Sequence, residues 1–387
     1  MDGVSVSVSV TRPLKVLLVL SELSLVGTTT CILNLFEAFK DRVDVRILVT
    51  DTGPMLERFQ KLGPVTLVYP MITVTGLLSR VMRKVRRAIL ARQIREWMPD
   101  LIYANSLGSM HLLHMVSLPM QRPVLLHIHE LDSMVNYGFQ VLGGPVSDLQ
   151  IPSRYIAVTS DVKRLLTDTY SIDPNIITCI PPPIADSYVQ NLADRKYGLS
   201  GKIVVGGAGT MTLRKGVVLW LQMAAALVKR VGPDRVTFQW LGAKESYEDY
   251  LYQHIAKKLG IGDSVEFLPV TKDPGVHYRN FDIFAMTSWE DPCPMVVFES
   301  MAHGIPVVCF DGSGGAPEQV SETGIVVPDF CPTKMAAAIE RLIVDPELHE
   351  RLGRAAAARC AENFVTSVIA PQVFAELSRV VAERPIA

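Results

Sequence analysis

Two successive series of short apolar runs, each followed by a longer amphipathic segment, constrain this chain more than any other feature of its sequence. Parallel β-strands joined by crossover helices produce that alternation. The run Pro181-Pro182-Pro183, which cannot continue a helix, separates the two series. The pattern predicts an α/β protein with two doubly wound domains, and the carboxyl ends of such strands and the domain junction are the expected ligand site.

The strands and the domain boundaries follow from this pattern. Residues 1–183 and 184–365 are each predicted to form a Rossmann-like domain, and residues 366–387 a C-terminal helix that packs back on the first domain. The predicted strands of the first series are 16–20, 45–49, 65–69, 101–104, 124–128 and 155–159. Those of the second series are 203–205, 236–241, 265–268, 283–287, 306–309 and 324–327.

Charge and cysteine content exclude several classes of protein. Lys and Arg total 38 against 39 Asp and Glu, and no nucleic-acid-binding motif is present, so a nucleic-acid partner is not expected. The six cysteines are scattered without a CxxC pair, which predicts reduced thiols in the cytoplasm rather than a zinc site or a disulfide framework. No apolar run reaches the roughly 18 residues of a membrane-spanning helix.

The most informative segment runs from Trp289 to Glu299, after the strand 283–287. Its prolines suit a turn and a first helical position, so the amides from Met295 to Val297 are expected to be free for an anion. Asp291 is expected in the loop before the helix and Glu299 inside the helix. Two carboxylates so placed can meet different parts of one elongated ligand, and a carboxylate can accept both hydroxyls of a ribose.

A glycine-rich loop from Gly206 to Gly216 lies between a predicted strand and a predicted helix. Its glycines allow close approach of the backbone, and Arg214 and Lys215 can neutralise a diphosphate near the start of the helix. A dinucleotide fingerprint would need a further glycine where Thr212 stands. The loop therefore favours a phosphate site over a dehydrogenase, and solvation of the two cations is the alternative.

The first domain contributes weaker signals. Gly27 lies in a strand-to-helix turn after the first strand, as in many nucleotide-binding folds. His129 and Glu130 form a His-acid pair at the end of the strand 124–128, and His127 shares the strand face of His129. No third ligand accompanies the two histidines, so no metal site is expected there, and a purely structural role for His129 stays open.

These motifs resemble those of the family-four retaining glycosyltransferases. The segment from Asp291 to Glu299 is similar to the paired-acid motif of that family, and the glycine-rich loop is similar to the first loop of its second domain. The resemblance implies the GT-B fold, in which two doubly wound Rossmann-like domains face an inter-domain cleft. It also implies retaining, metal-independent transfer of a sugar from a nucleoside-diphosphate sugar to an acceptor hydroxyl, without a cofactor. Residues 1–183 would form the acceptor-side domain and residues 184–365 the domain that binds the nucleotide sugar.

The resemblance also implies roles for individual residues. Glu299 would hold the ribose, and Asp291, or Glu290 beside it, would contact the sugar. Lys215 would stabilise the departing diphosphate, and His129 would orient the sugar. Catalytic roles are thus implied for His129, Asp291 and Lys215. The residues expected to bind the nucleotide sugar are Gly27, Arg214, Lys215, Asp291, Cys293, Pro294, Met295, Val296 and Glu299.

Two further questions stay open at the level of the sequence. A nucleotide-sugar epimerase of the same fold, or a non-catalytic protein that binds a nucleotide sugar or a partner, would share the phosphate site. Residues 77–98 predict a basic amphipathic helix with seven Arg and Lys residues against one acid. Such a helix can contact the inner face of an anionic membrane, which would favour a lipid-linked acceptor. A crossover helix with solvated charges is the alternative, and it leaves a glycan or a small molecule as the acceptor.

Overall fold

The computed structural model describes residues 12–68, 77–110, 112, 122–142, 146–189, 199 and 201–383. By its internal contacts the chain divides into two units. Unit 1 comprises Met1–Pro183 together with Thr366–Ala387, and unit 2 comprises Ile184–Val365. Each unit is built on one parallel β-sheet.

Unit 1 contains a seven-stranded sheet in the order β3-β2-β1-β4-β5-β6-β7, in which all neighbours are parallel. Its strands are β1 (Leu14–Leu20), β2 (Val43–Val49), β3 (Val65–Leu67), β4 (Leu101–Asn105), β5 (Val124–Ile128), β6 (Arg154–Ala157) and β7 (Ile177–Cys179). Its helices before the chain enters unit 2 are α1 (Gly27–Ala38), α2 (Leu56–Leu62), α3 (Leu77–Trp97), α4 (Asp132–Leu142) and α5 (Ser160–Arg164).

Unit 2 contains a six-stranded parallel sheet in the order β10-β9-β8-β11-β12-β13. Its strands are β8 (Ile203–Ala208), β9 (Val236–Ala243), β10 (Val265–Pro269), β11 (Ile283–Met286), β12 (Val307–Phe310) and β13 (Ile325–Val327). Its helices are α6 (Val217–Val231), α7 (Tyr247–Lys258), α8 (Gly275–Tyr278), α9 (Met295–Ala302), α10 (Ala316–Val320), α11 (Pro332–Val344) and α12 (Pro346–Asn363).

The last helix, α13 (Thr366–Ala382), belongs to unit 1 and packs against α1. The ring of Phe374 in α13 lies 5.7 Å from the ring of Phe39. On β6, Nε of Arg154 donates to Oε2 of Glu376 in α13 at 3.0 Å, and the two side chains are 4% and 9% exposed. A guanidinium buried to this degree requires an acidic partner, so this ion pair fixes where α13 lies on the sheet.

The strands are apolar on both faces because helices cover both sides of a parallel sheet. In β1, only Lys15 among seven residues is not buried. In unit 2 the indole rings of Trp220 in α6 and Trp240 in β9 pack edge to face, with centroids 5.4 Å apart. Nε1 of Trp240 donates to the carbonyl oxygen of Gly209 at 2.9 Å, so the core also anchors the glycine-rich loop.

All twelve predicted strands are present, with bounds that differ by a few residues at most, and the prediction of two doubly wound α/β domains is confirmed. Residue 69, the end of the third predicted strand, lies outside the described residues. The pattern did not predict β7, because it has three residues and its burial falls from Ile177 to the exposed Cys179. Among the helices of the described ranges, none is long and apolar enough to cross a bilayer.

Candidate functional site

The glycine-rich loop connects β8 to α6. Its last glycine, Gly216, has φ 69° and ψ 30°, in the left-handed region. A Cβ at this position would lie 1.8 Å from the carbonyl oxygen of Thr287, so only glycine fits. The missing side chain lets the loop pack against the segment after β11, where the amide of Trp289 donates to the carbonyl oxygen of Arg214 at 2.9 Å.

β8 and β11 are neighbours in the sheet of unit 2, and the chain leaves them in opposite directions. Open α/β sheets bind ligands at such switch points, beyond the carboxyl ends of the strands. Lys215 follows β8 and Asp291 follows β11, and their side chains form an ion pair in which they are 17% and 9% exposed. The fold therefore brings together two of the predicted site residues, 76 positions apart in the chain.

Hydrogen bonds to backbone groups hold Asp291 between three loops. Nη1 of Arg214 donates to the carbonyl oxygen of Glu290 at 2.7 Å. The amide of Asp291 donates to the carbonyl oxygen of Ser313 at 2.8 Å, and its own carbonyl accepts from the amide of Gly315 at 2.9 Å. The loops after β8, β11 and β12 thus fix the direction of this carboxylate.

The start of α9 lies next to this cluster. Pro294 is the residue before the first helical position, not the first helical residue as predicted, and Met295 begins the helix. The expectation that the amide of Val297 is free was wrong, because it donates to the carbonyl oxygen of Pro294 at 3.1 Å. The first-turn amides of Met295 and Val296 have no acceptor within a helix, so these two are the ones suited to an anion. Nε2 of Gln319 lies 3.2 Å from both the Pro294 carbonyl oxygen and Sγ of Cys293 and so holds the turn in place.

Glu299 lies in the second turn of α9. Its Oε2 accepts a hydrogen bond from the hydroxyl of Tyr278 at 2.8 Å. Burial raises the pKa of Glu299, while the Tyr278 hydrogen bond and the positive charge of Lys215 oppose that rise. Burial is the larger effect, so the pKa of Glu299 stays above its ordinary value although the hydroxyl and the ammonium favour the charged form.

In unit 1, His129 follows β5. Its Nε2 lies 2.8 Å from Oδ1 of Asn105, at the end of β4, and its ring centroid lies 4.1 Å from that of His127. Burial lowers the pKa of His129 to about 3, so the ring is neutral. Glu130 accepts from the amides of His129 at 2.9 Å and Leu107 at 3.1 Å, and burial raises its pKa to about 7.

The predicted site residues thus fall into two groups. Gly27, the exposed first residue of α1, and His129 lie in unit 1, and the other predicted residues lie in unit 2 around β8, β11 and α9. Sequence reasoning missed Tyr278 and Asn105, which carry no motif. In the part of the chain that the structure describes, no group of three or more His, Cys, Asp or Glu side chains is placed to hold a metal ion.

Two family models match the chain. The model described as "Glycosyltransferase Family 4" matches residues 26–188, and the model described as "Glycosyl transferases group 1" matches residues 202–345. A D-inositol 3-phosphate glycosyltransferase of Paenarthrobacter aurescens is 31% identical over 221 residues, which cover 55% of this chain and 54% of that protein. An uncharacterised glycosyltransferase of Haemophilus influenzae is 34% identical over 111 residues, 28% of this chain and 31% of that protein. The matches thus span about a third to about half of these relatives.

Solved structures match almost the whole chain. HepE of Anabaena in complex with UDP and glucose superposes with a TM-score of 0.77 at 20% identity, over 94% of this chain and 99% of that chain. The lipopolysaccharide outer core galactosyltransferase WaaB superposes with a TM-score of 0.73 at 14% identity, over 95% of this chain and 99% of that one. At these identities the likeness concerns the fold, and it confirms the prediction of a two-domain α/β fold of the GT-B type.

Proposed function

This chain belongs to the group 1, family-four glycosyltransferases, and we propose that it transfers a sugar from a nucleoside-diphosphate sugar to an acceptor hydroxyl with retention of the anomeric configuration. The observation that carries the proposal is the cluster of Lys215, Asp291 and Glu299 at the switch point of the unit 2 sheet. The solved relative HepE was obtained with UDP and with UDP-glucose, which supports the same class of sugar donor here.

The chemistry follows from the charges of this cluster. When the anomeric C–O bond breaks, negative charge develops on the diphosphate, and the acceptor oxygen forms the new bond on the same face of the sugar. The acceptor proton passes to the departing phosphate oxygen. Lys215, Arg214 and the first-turn amides of α9 can stabilise that charge electrostatically, with Glu299 on the ribose and Asp291 toward the sugar. Because these groups supply the positive charge, we expect the reaction to proceed without a divalent metal.

His129 is proposed to orient the sugar. Because an amide oxygen can only accept, the contact with Oδ1 of Asn105 requires the proton on Nε2 of His129. Nδ1 of the neutral ring is then an acceptor. We therefore expect His129 to accept a hydrogen bond from a sugar hydroxyl rather than to act as a cation.

A thermal-shift panel tests the proposal. The protein is melted with UDP, GDP, ADP, dTDP or CMP, each with EDTA and each with Mg²⁺. A nucleotide at 100 times its dissociation constant stabilises the folded state by about 2.7 kcal/mol, so the nucleotide that binds should raise the melting temperature. Because binding is expected to need no divalent metal, the rise should be equal in the two buffers. A shift that needs Mg²⁺ would contradict metal independence. The lack of any shift would favour a protein without a nucleotide-sugar site.

The basic helix α3 supports a peripheral contact with an anionic membrane as part of the same proposal. In its described half, Leu90, Ile94 and Trp97 are buried, whereas Val85 and Ile89 are each 53% exposed. Val85 and Ile89 therefore do not belong to the buried face of α3, as the alternative of a crossover helix would require. The side chains of residues 77–83 and 87 lie outside the described residues. The exposed cations of this half are Lys84, Arg86, Arg92 and Arg95.

Cations next to exposed apolar side chains suit the surface of an anionic bilayer. Sedimentation with phosphatidylglycerol vesicles, compared with phosphatidylcholine vesicles, tests this contact. Binding should be selective for the anionic lipid and should weaken in a Val85→Ser/Ile89→Ser variant. A variant that binds as well as the wild type would show that α3 does not enter the interface. If the wild type itself does not bind the vesicles, the acceptor is expected to be a soluble molecule. A cytoplasmic location stays a prediction.

A further inference from the structure

Tyr278 is the one side chain whose hydroxyl is seen to bond the carboxylate of Glu299 in the described structure. It ends the short helix α8, just before β11, and its side chain is fully buried. The hydroxyl lies 2.8 Å from Oε2 of Glu299. A buried tyrosine hydroxyl needs a partner, and here that partner is a residue of the proposed nucleotide site.

Surrounding rings hold Tyr278 in one orientation. Its ring packs against Phe281 with centroids 5.5 Å apart and against Phe284 at 6.1 Å, and it stacks on His303 at 5.5 Å with 22° between the planes. Nδ1 of His303 lies 2.8 Å from the carbonyl oxygen of Glu299, and because a carbonyl only accepts, Nδ1 donates. The side chain and the backbone carbonyl of Glu299 therefore both accept hydrogen bonds from the stacked pair of Tyr278 and His303.

This arrangement sets the orientation of the Glu299 carboxylate. The two oxygens of a carboxylate have about four acceptor positions between them, and the Tyr278 hydroxyl takes one of those on Oε2. The fixed hydroxyl therefore sets the directions in which the remaining acceptor positions can meet a ligand. Without the hydrogen bond from Tyr278, the carboxylate would rotate about its last side-chain torsion, which has a broad distribution of angles.

We infer that Tyr278 is a positioning residue that aims the Glu299 carboxylate and so makes the site select ribose over 2′-deoxyribose. The inference rests on the proposed function, in which Glu299 binds the ribose of the nucleotide sugar. Tyr278 then contributes to the selectivity for the nucleotide and not to the breaking of the sugar–phosphate bond. The Tyr278→Phe change removes the hydroxyl and keeps the ring, so it measures the contribution of the hydroxyl alone.

Calorimetric titration tests the inference with three matched pairs of probes, UDP and dUDP, GDP and dGDP, and ADP and dADP. For the pair that binds best, the wild type should prefer the ribonucleotide by about 10-fold or more, the worth of one hydrogen bond to a charged group. In Tyr278→Phe the preference should fall below about 3-fold, because the hydrogen bond from the ribose to the misaligned carboxylate contributes less. Tyr252→Phe, which removes the hydroxyl of another buried tyrosine of unit 2, is the control and should keep the wild-type preference.

The pH dependence of binding gives a second readout that a merely structural role would not move. Protonation of Glu299 removes an acceptor for the ribose, so ribonucleotide affinity falls as the pH falls through the pKa of this carboxyl. The Tyr278 hydrogen bond lowers the Glu299 pKa, as does the charge of Lys215, against burial, which raises it. Tyr278→Phe should therefore raise the Glu299 pKa, and the loss of affinity should begin at a higher pH.

Each outcome separates the inference from the proposed function. If Tyr278→Phe binds with an unchanged preference and an unchanged pH profile, the inference is overturned and the proposed function stands. If the wild type binds both members of each pair equally, Glu299 does not select for the 2′-hydroxyl, so the inference is overturned and the proposed function stands. If the wild type binds no probe here and no nucleotide of the thermal-shift panel, both fail. Should Tyr278→Phe not fold, His303→Ala, which removes the stacked ring, must lower the preference in the same direction, and an unchanged preference there overturns the inference.

Discussion

At the scale of single residues, the ion pair of Lys215 and Asp291 is the most informative contact. A lysine ammonium has three donors, so Lys215 can keep Asp291 and still bind a phosphate oxygen. Asp291 in turn holds the ammonium at the carboxyl edge of the sheet, where the first-turn amides of α9 begin. The pair therefore positions the ammonium group for the diphosphate of the proposed sugar donor.

Replacement of Lys215 by Ala should weaken nucleoside-diphosphate binding by about 10- to 100-fold, because a hydrogen bond to a charged group contributes about 1.5 to 3 kcal/mol. The unpaired Asp291 carboxylate would add repulsion in the same direction. Lys229→Ala, at an exposed lysine in the last turn of α6, is the matched control. Equal affinities of the two variants in a calorimetric titration would show that Lys215 does not meet the nucleotide.

A second prediction at the scale of single residues concerns Gly216. Gly216→Ala should destabilise the protein by more than Gly232→Ala, because both glycines have positive φ, of 69° and 89°, but only a Cβ at Gly216 would clash. The strain shared by both is about 1 to 2 kcal/mol, and the clash with Thr287 adds to it. Urea unfolding measures the difference. Equal losses would mean that the loop can move away from the β11 segment at no cost.

The residues that the sequence could predict are those with a local signal. Asp291 and Glu299 stand out by their spacing within one loop and helix, and Lys215 by its place after a glycine-rich strand end. Tyr278 gives no such signal, because its contact with Glu299 spans 21 positions and arises only when α8 and α9 pack against the same sheet. Asn105 meets His129 across 24 positions for the same reason.

At the scale of elements, α13 is the clearest case of a segment fixed by tertiary contacts. Its apolar face packs on unit 1, and the buried Arg154 of β6 bonds both Glu376 and the half-exposed Glu383. Most of the stability of a helix in a protein comes from tertiary packing of its apolar face. The buried ion pair and the aromatic contact between Phe39 and Phe374 therefore define the place of the helix on the sheet.

Glu376→Ala should cost about 3 kcal/mol or more of the free energy of unfolding, because it leaves a buried guanidinium without its buried partner. Glu383→Ala removes the exposed partner of the same arginine and should cost at most about 1 kcal/mol. Denaturant unfolding of the two variants tests the difference. A loss in Glu376→Ala no larger than that in Glu383→Ala would contradict the assigned role of the buried pair.

Elements were predictable where the chain repeats a strong pattern. β1 and β5 are apolar runs interrupted only by Lys15 and His127. Such runs are typical of strands covered by helices on both faces of a parallel sheet. β7 could not be found in this way, because a short edge strand needs little apolar sequence and pairs with one neighbour, β6. The start of α9 differed from expectation because Pro294 occupies the capping position and its carbonyl takes the amide of Val297.

At the scale of the whole molecule, the two units share one plan. The first six strands of unit 1 and the six strands of unit 2 follow the same order, 3-2-1-4-5-6, if each set is counted from its own first strand. In unit 2 the predicted nucleotide-sugar residues follow the first and fourth strands, where this order places the switch point. In unit 1, Asn105 ends the fourth strand and His129 follows the fifth. This shared strand order explains why residues far apart in sequence lie close together within each unit.

The most direct test of sugar transfer with retention is to follow turnover by proton NMR. The wild type and Lys215→Ala are incubated, with EDTA, with the α-linked glucose or mannose conjugate of the nucleotide that stabilises the protein. In the absence of an acceptor, the wild type should release the nucleoside diphosphate and first the α anomer of the free sugar, and Lys215→Ala should do so much more slowly. A first product in the β configuration would contradict retention. An intact sugar nucleotide after prolonged incubation would contradict sugar transfer itself.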